Sequence, residues 1–174
     1  DWWWFWRNSG WDDATNIHVF DISDPTETTY VASGRVDGTV QDQFSLSELN
    51  GIIRVATTED AWGRWWLETE EWTGPTNNVF TLATTECMIP EGCDDETSEL
   101  MQIGHVDDIA EGERIWSARF VGNRAYLVTF RNMDPLWVID LSDPTDPKIL
   151  GELEIPGVST YIHPVDANTL LTIG

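Results

Sequence analysis

Two short stretches of this chain hold the side chains best suited to chemistry. The first is WGRWWLETEEW, residues 62–72, which sets Trp62, Trp65, Trp66 and Trp72 around Arg64. Exposed indole rings stack on sugar faces or anchor a protein partner, and a guanidinium can lie over such rings. These five residues are the expected contacts to a ligand or partner, against the plainer reading that the rings pack on one another. The second stretch is CMIPEGCDDE, residues 87–96. Five residues separate Cys87 from Cys93, and Pro90 and Gly92 favour a turn that brings the two within bridging range, so a disulfide is expected. Two free thiols are the alternative; without nearby histidine pairs the cysteines are too few for structural zinc. Asp94, Asp95 and Glu96 offer hard oxygen ligands, so calcium is the one ion the chain suggests. Their spacing is not that of a calcium loop, and a solvated acidic face is the competing reading there and at Asp107-Asp108.

Nothing comparable points to catalysis. His18, His105 and His163 share no local motif, although His18 and His105 sit in strands that look equivalent. There is no HExxH, no GxSxG elbow and no glycine-rich phosphate loop. Ser117 and Ser159 have no recognisable base partner. No catalytic residue and no cofactor is assigned.

Composition narrows the partners. The chain carries 31 acidic and 9 basic residues, a net charge of −22, and Lys148 is its single lysine. Nucleic acid is excluded as a partner, since phosphate binding needs a cationic face. Such a surface suits saline surroundings, where ions screen self-repulsion, or simply an acidic extracellular protein. No run approaches the ~18 apolar residues of a membrane span, and no signal-peptide pattern is present. The opening DWWWFWRNSGW reads as a cut into a longer protein, with Trp2–Trp6 buried against sequence or a partner beyond it.

These residues must be positioned by elements that repeat. IHVFDISDPTETTYVASGRVDG (17–38) and LWVIDLSDPTDPKILGELEIPG (136–157) align without a gap at an offset of 119. Asp21 and Asp140 begin the two Asp-Pro turns and are read as turn-fixing acceptors, with Thr81 at that place in a middle repeat. Strands are expected at 17–22, 30–36, 44–49, 52–57, 78–82, 100–106, 115–120, 125–130, 136–141, 149–155, 160–163 and 169–173, with at most one helical turn near 66–72 or 107–111. Asn50-Gly51 is the strongest hairpin signal. The expectation is an all-β fold, a β-propeller of four-stranded antiparallel blades. A Trp-rich segment, 1–15, precedes blades spanning 16–174, with insertions at 59–75 and 86–99. Their order gives half a blade, two whole blades and a final half, about three in all. A closed ring takes four to eight, so the chain should be a partial propeller completed by further blades or another chain.

The stretches Glu113–Gly174, Phe44–Glu59 and Asn16–Pro25 resemble a secreted β-propeller family of bacteria and archaea distantly related to WD-type repeats. LWVIDLSDPTDPKILGE also resembles the LVIVD type of propeller repeat. The resemblance implies a secreted or cell-surface location and brings no catalytic residues with it. The resulting expectation is a non-enzymatic extracellular binding or assembly module whose partner is a protein or a polysaccharide. The rivals are part of a propeller hydrolase, lyase or oxidoreductase with a channel site, and a structural subunit of a surface layer or filament.

Overall fold

A computed structural model describes residues 13–60, 74–84, 98–130, 134–155, 157 and 159–174. Those residues form twelve strands and one short 3-10 turn, with no α-helix among them. β1 (Ala14–Asp24) and β2 (Glu27–Asp37) make an antiparallel hairpin. β3 (Leu46–Leu49), β4 (Ile52–Glu59), β5 (Thr76–Thr84) and β6 (Ser98–Ile109) follow as a four-stranded meander. β7 (Arg114–Val121), β8 (Arg124–Phe130), β9 (Asp134–Asp140) and β10 (Lys148–Ile155) form a second one. β11 (Tyr161–Asp166) and β12 (Thr169–Ile173) close the chain as a lone hairpin. The expected order of half blade, two whole blades and half blade is what is found. By the repeat, β1–β2 corresponds to β9–β10, the outer half of a blade, and β11–β12 corresponds to β7–β8, the inner half.

Local chemistry accounts for the strand ends. Asn50 and Gly51 both take left-handed backbone angles (φ 55° and 79°), as a two-residue hairpin turn requires. Gly38 and Gly157, identical in the two repeat copies, both take positive φ (82° and 94°), which ends the outer strand in each. Both copies also carry the same bulge, with Val31 and Leu150 as the extra residues in β2 and β10. Pro164 falls within β11, which is tolerated because β11 is an edge strand.

Several expectations are corrected. Phe44 lies in the 3-10 turn Gln43–Ser45 rather than in a strand, because Asp42 caps it by accepting the Phe44 N–H at 2.8 Å. Asp107 and Asp108 belong to β6, not to a loop or helical turn; Asp108 sits at φ 55° near the strand's end. Pairing is antiparallel within each blade, but β2 touches β6 in parallel over two residue pairs, joining the outer strands of neighbouring blades. The Asp-Pro turns also differ. The first hairpin runs on to Asp24 and Glu27, whereas the second stops at Asp140 and Lys148. Pro147 replaces Thr28 and removes a ladder N–H, and the wider loop instead packs on the blade before it.

The core lies between blades rather than within one sheet. Ile17, Ala32 and Val36 meet Val55, Phe80, Leu82 and Leu100 at the first seam. Ala56, Val79 and Ile109 meet Ile115, Ala118, Leu127, Ile139 and Leu141 at the second. Strand alternation explains this: successive residues of one strand face the preceding and the following blade in turn.

Candidate functional site

The surfaces by which blades join are the most strongly built sites among the described residues. At the outer side of the second seam, the Asp140 carboxylate accepts the Ser142 N–H at 2.9 Å. Asp143 accepts the Thr145 N–H at 2.9 Å and its hydroxyl at 2.6 Å. The first copy repeats the pattern, Asp21 with Ser23 and Asp24 with Thr26. The Ser23 and Thr26 N–H groups hold the Asp21 and Asp24 carboxyls below the ordinary carboxylate value, and Ser142 does so for Asp140. For Asp143 the Thr145 hydroxyl contributes most. The aspartates therefore fix turns. Thr81 does not: its hydroxyl donates to the Pro144 carbonyl of the next blade, so it receives the loop that the aspartates shape. Gly104 on β6 makes room for that loop, since a methyl group there would collide first with the Pro144 carbonyl oxygen, with Thr81 Oγ1 at 2.7 Å and Pro147 Cδ at 2.8 Å.

On the inner side, two arginines act as staples. Arg54, buried on β4, donates to the Gly122 carbonyl in the β7–β8 turn and to Ser47 Oγ at 2.6 Å, and lies 5.2 Å from the centre of the Phe120 ring. Burial lowers its pKa, partly offset by Glu48. Arg119 on β7 donates to the Ile162 carbonyl of β11 at 2.8 Å and lies over Phe44 at 3.8 Å and Tyr161 at 5.1 Å. Aligned through the hairpin turns, Tyr126 is the counterpart of Arg54. At the last seam a groove of about 280 Å³ is lined by Val121, Arg124, Tyr126, Asp166, Asn168 and Thr169. Between the staples runs a buried polar knot: Asn77 Nδ2 donates to the Ile109 carbonyl (2.7 Å) and the Glu113 carbonyl (3.0 Å), and its Oδ1 accepts from Thr58 (2.7 Å) and the Ile115 N–H (3.2 Å).

The histidines stand on different elements. His18 is on β1 and His105 on β6, an outermost strand, so the two are not equivalent as expected. His105 stacks on Phe80 at 4.3 Å and bonds Asn78 Oδ1 at 2.8 Å, while Asn78 Nδ2 donates to Glu59 at 2.7 Å. The amide between them breaks any proton relay from carboxylate to imidazole. His163 meets the Tyr161 hydroxyl at 3.2 Å. Ser117 donates to the Ser159 carbonyl at 2.7 Å, a structural bond between blades. No group of three or more metal-ligating side chains occurs among the described residues.

The two end faces are where the chain departs from its own pattern. At the internal seams, Phe80 and Ile139 are 3% and 0% exposed, and Leu82 and Leu141 are 0% and 4%; all face the preceding blade. Their repeat counterparts on β1, Phe20 and Ile22, are 53% and 74% exposed. At the other end, Leu171 and Ile173 on β12 are 52% and 57% exposed; the inner-strand counterparts of Ile173, Ala56 and Val128, are both fully buried. Leu153 on β10 is exposed on the same side. Phe20 and Ile22 thus expose the side that faces the preceding blade at the internal seams, and Leu153, Leu171 and Ile173 expose the side that faces the following one there. The sequence contained this signal in the repeat alignment, which sets Phe20 against Ile139.

Trp62, Arg64, Trp65, Trp66 and Trp72 lie outside the described residues, in the connection from β4 to β5. Cys87, Cys93, Asp94, Asp95 and Glu96 also lie outside them, in the connection from β5 to β6. A family model described as a β-propeller domain matches residues 1–174. An uncharacterised protein of Methanocaldococcus jannaschii is 41% identical over 144 residues, 83% of this chain and 20% of its own length. An uncharacterised protein of Archaeoglobus fulgidus is 36% identical over 174 residues, 94% of this chain and 23% of that protein. The chain thus spans about a fifth to a quarter of the curated relatives it matches. No solved structure matches it.

Proposed function

The chain belongs to the β-propeller domain family, and from that premise we propose that it is a non-enzymatic assembly and binding module, an arc of blades within a larger extracellular propeller. The observation that carries this is the pair of open end faces. Phe20 and Ile22 repeat positions that are sealed at both internal seams, and Leu171 and Ile173 continue the opposite face. Large apolar residues so arranged mark an interaction surface. The length of the relatives supports the same reading.

In this proposal the staples and seam loops make the arc rigid, and the two insertions carry the outward contacts. Trp62, Trp65, Trp66 and Trp72, with Arg64, take a protein or polysaccharide partner. Cys87 and Cys93 close the other insertion as a disulfide, and Asp94, Asp95 and Glu96 are its candidate calcium ligands.

Hydroxyl-radical footprinting tests the assembly reading. In the isolated chain Phe20 and Leu171 should oxidise readily while Phe80 and Leu82 stay protected. In a polypeptide that extends this chain at both ends with further propeller sequence, Phe20 and Leu171 should fall to the level of Phe80. Unchanged reactivity at the ends would refute it.

A further inference from the structure

We propose that the groove between the β7–β8 and β11–β12 hairpin tips binds one neutral sugar ring, a hexopyranose unit of a polysaccharide. The proposal rests on the binding reading above and deepens it: it chooses a saccharide as the partner and gives it a place outside both insertions.

Two hairpin tips frame the groove. Val121 and Arg124 flank the Gly122-Asn123 turn, Asp166, Asn168 and Thr169 form the turn opposite, and Tyr126 lies further along β8. Both hairpins are described from end to end, each with its own ladder. At the first seam the matching tips are tied, because Arg54 donates to the Gly122 carbonyl. At the last seam the staple sits elsewhere: Arg119 bonds the Ile162 carbonyl, near the start of β11, and the groove lies at that strand's other end.

The lining offers charges of both signs with little to satisfy them. Asp166 accepts the Asn168 N–H at 2.8 Å, and that bond and the Thr169 hydroxyl draw its pKa below the ordinary 3.8, so it is a fixed carboxylate with lone pairs to spare. Arg124 makes no ion pair or hydrogen bond with a described residue; Asp140, opposite it in the β8–β9 ladder, feels its charge only from a distance. The Tyr126 hydroxyl and the Asn168 side-chain amide are likewise uncommitted among the described residues. An anion in this groove would meet Asp166, Asp140 and the chain's net −22, and a cation would meet Arg124. A neutral ring dense in hydroxyls avoids both penalties. Neighbouring hydroxyls can donate to the carboxylate and accept from the guanidinium at once, and the Asn168 amide can do either. The Tyr126 ring and Val121 offer apolar surface to the C–H face of a pyranose. At about 280 Å³ the groove lies just below the usual pocket range of about 300–1,000 Å³, which suits a single ring.

Amide NMR of the 174-residue chain tests this with the methyl glycosides of glucose, galactose, mannose and N-acetylglucosamine as probes. At least one, added up to about 100 mM, should shift the Asn123, Arg124, Asn168 and Thr169 amides with a dissociation constant in the millimolar range. Methyl glucuronide and glucosamine, which add a charge of either sign at about pH 6, should bind more weakly than methyl glucoside. Arg124→Gln and Asn168→Ala should each weaken binding by about fivefold, the worth of one hydrogen bond. The dispersion of the amide spectrum identifies a variant that fails to fold, and the comparison of neutral with charged sugars needs no variant. Tip amides that stay still with all four glycosides, tighter binding of either charged sugar, or folded variants that bind like the original chain would each overturn the proposal. Shifts confined to indole N–H signals would overturn it too, yet leave the binding reading standing with its saccharide held elsewhere.

Discussion

Gly104→Ala is the most discriminating single substitution for the way the blades are joined. Gly104 lies in β6 without a left-handed backbone angle, so alanine fits its conformation and, on backbone entropy alone, should stabilise by about 0.4–1 kcal/mol. The seam reverses the sign. The new methyl would press on the Pro144 carbonyl, with Thr81 Oγ1 at 2.7 Å and Pro147 Cδ at 2.8 Å, all inside the ordinary contact distance of about 3.5–4.0 Å. The nearest atom belongs to the backbone of a loop pinned by Asp140 and Asp143, so it cannot swing aside. Overpacking of this kind costs about 1–3 kcal/mol, and a displaced loop also loses the Thr81–Pro144 hydrogen bond, about 1 kcal/mol. The net expectation is a loss of about 2–3 kcal/mol, or a melting point lower by about 4–12 °C. Gly151→Ala is the matched control: it is also a strand glycine, with nothing within 4 Å of the added carbon, and should be neutral or slightly stabilising. Urea denaturation of the three proteins with a common m-value measures both. If Gly104→Ala behaves like Gly151→Ala, the loop is not seated on β6 and the seam described above is wrong.

Other expectations follow from the same contacts. Asn77→Ala should cost about 3 kcal/mol in chemical denaturation, because it strands several buried partners at once; a loss under about 1 kcal/mol would contradict the polar knot. Arg119→Leu should raise amide exchange in β11 and β12 while leaving β4 and β5 unchanged, and equal exchange throughout would count against its stapling role. Because Asp140 and Asp143 are shifted downward, their contribution is present above the ordinary 3.8 and fades as pH falls through their lower folded values. Carboxyl carbon titrations by NMR should therefore place both midpoints below 3.8, and midpoints above it would refute the turn bonds. The proposed Cys87–Cys93 bridge requires that thiol titration of unreduced protein find no free sulfhydryl.

The fold was legible because its signals are local and repeated. Asn50-Gly51, the paired SerAspProThr runs and the alternating apolar residues each fix a turn or a strand within a few residues, and the offset of 119 made the blade order readable. What escaped was the part set by neighbours. The roles of Thr81 and Gly104 come from a loop more than 35 residues away in the chain, and no local pattern encodes that docking. The Asn50-Gly51 hairpin signal places a strand over 44–49, but the Asp42 cap draws Phe44 into a 3-10 turn instead. The arginine staples were missed because an arginine among carboxylates reads as a surface residue, whereas Arg54 is buried and Arg119 lies between rings. The expected ligand contacts at Trp62–Trp72 and the acidic and cysteine positions at 87–96 lie outside the described residues, so they stay proposals resting on residue type.

The central claim is that this arc ends in half-blades that want completion. The most direct measurement appends a second copy of residues 11–37 after Gly174. That leaves residue 174 and the new residues 11–16 between Ile173 and the added Ile17, seven residues, as many as the 129–135 that separate Val128 from Leu136. Hydrogen exchange of β12 is then compared with the original chain, as a monomer at low concentration. The account predicts that the Leu170–Ile173 amides gain protection approaching that of β8 and that the melting point rises. An appended hairpin that remains fully exchanging, with β12 no slower than before, would contradict it.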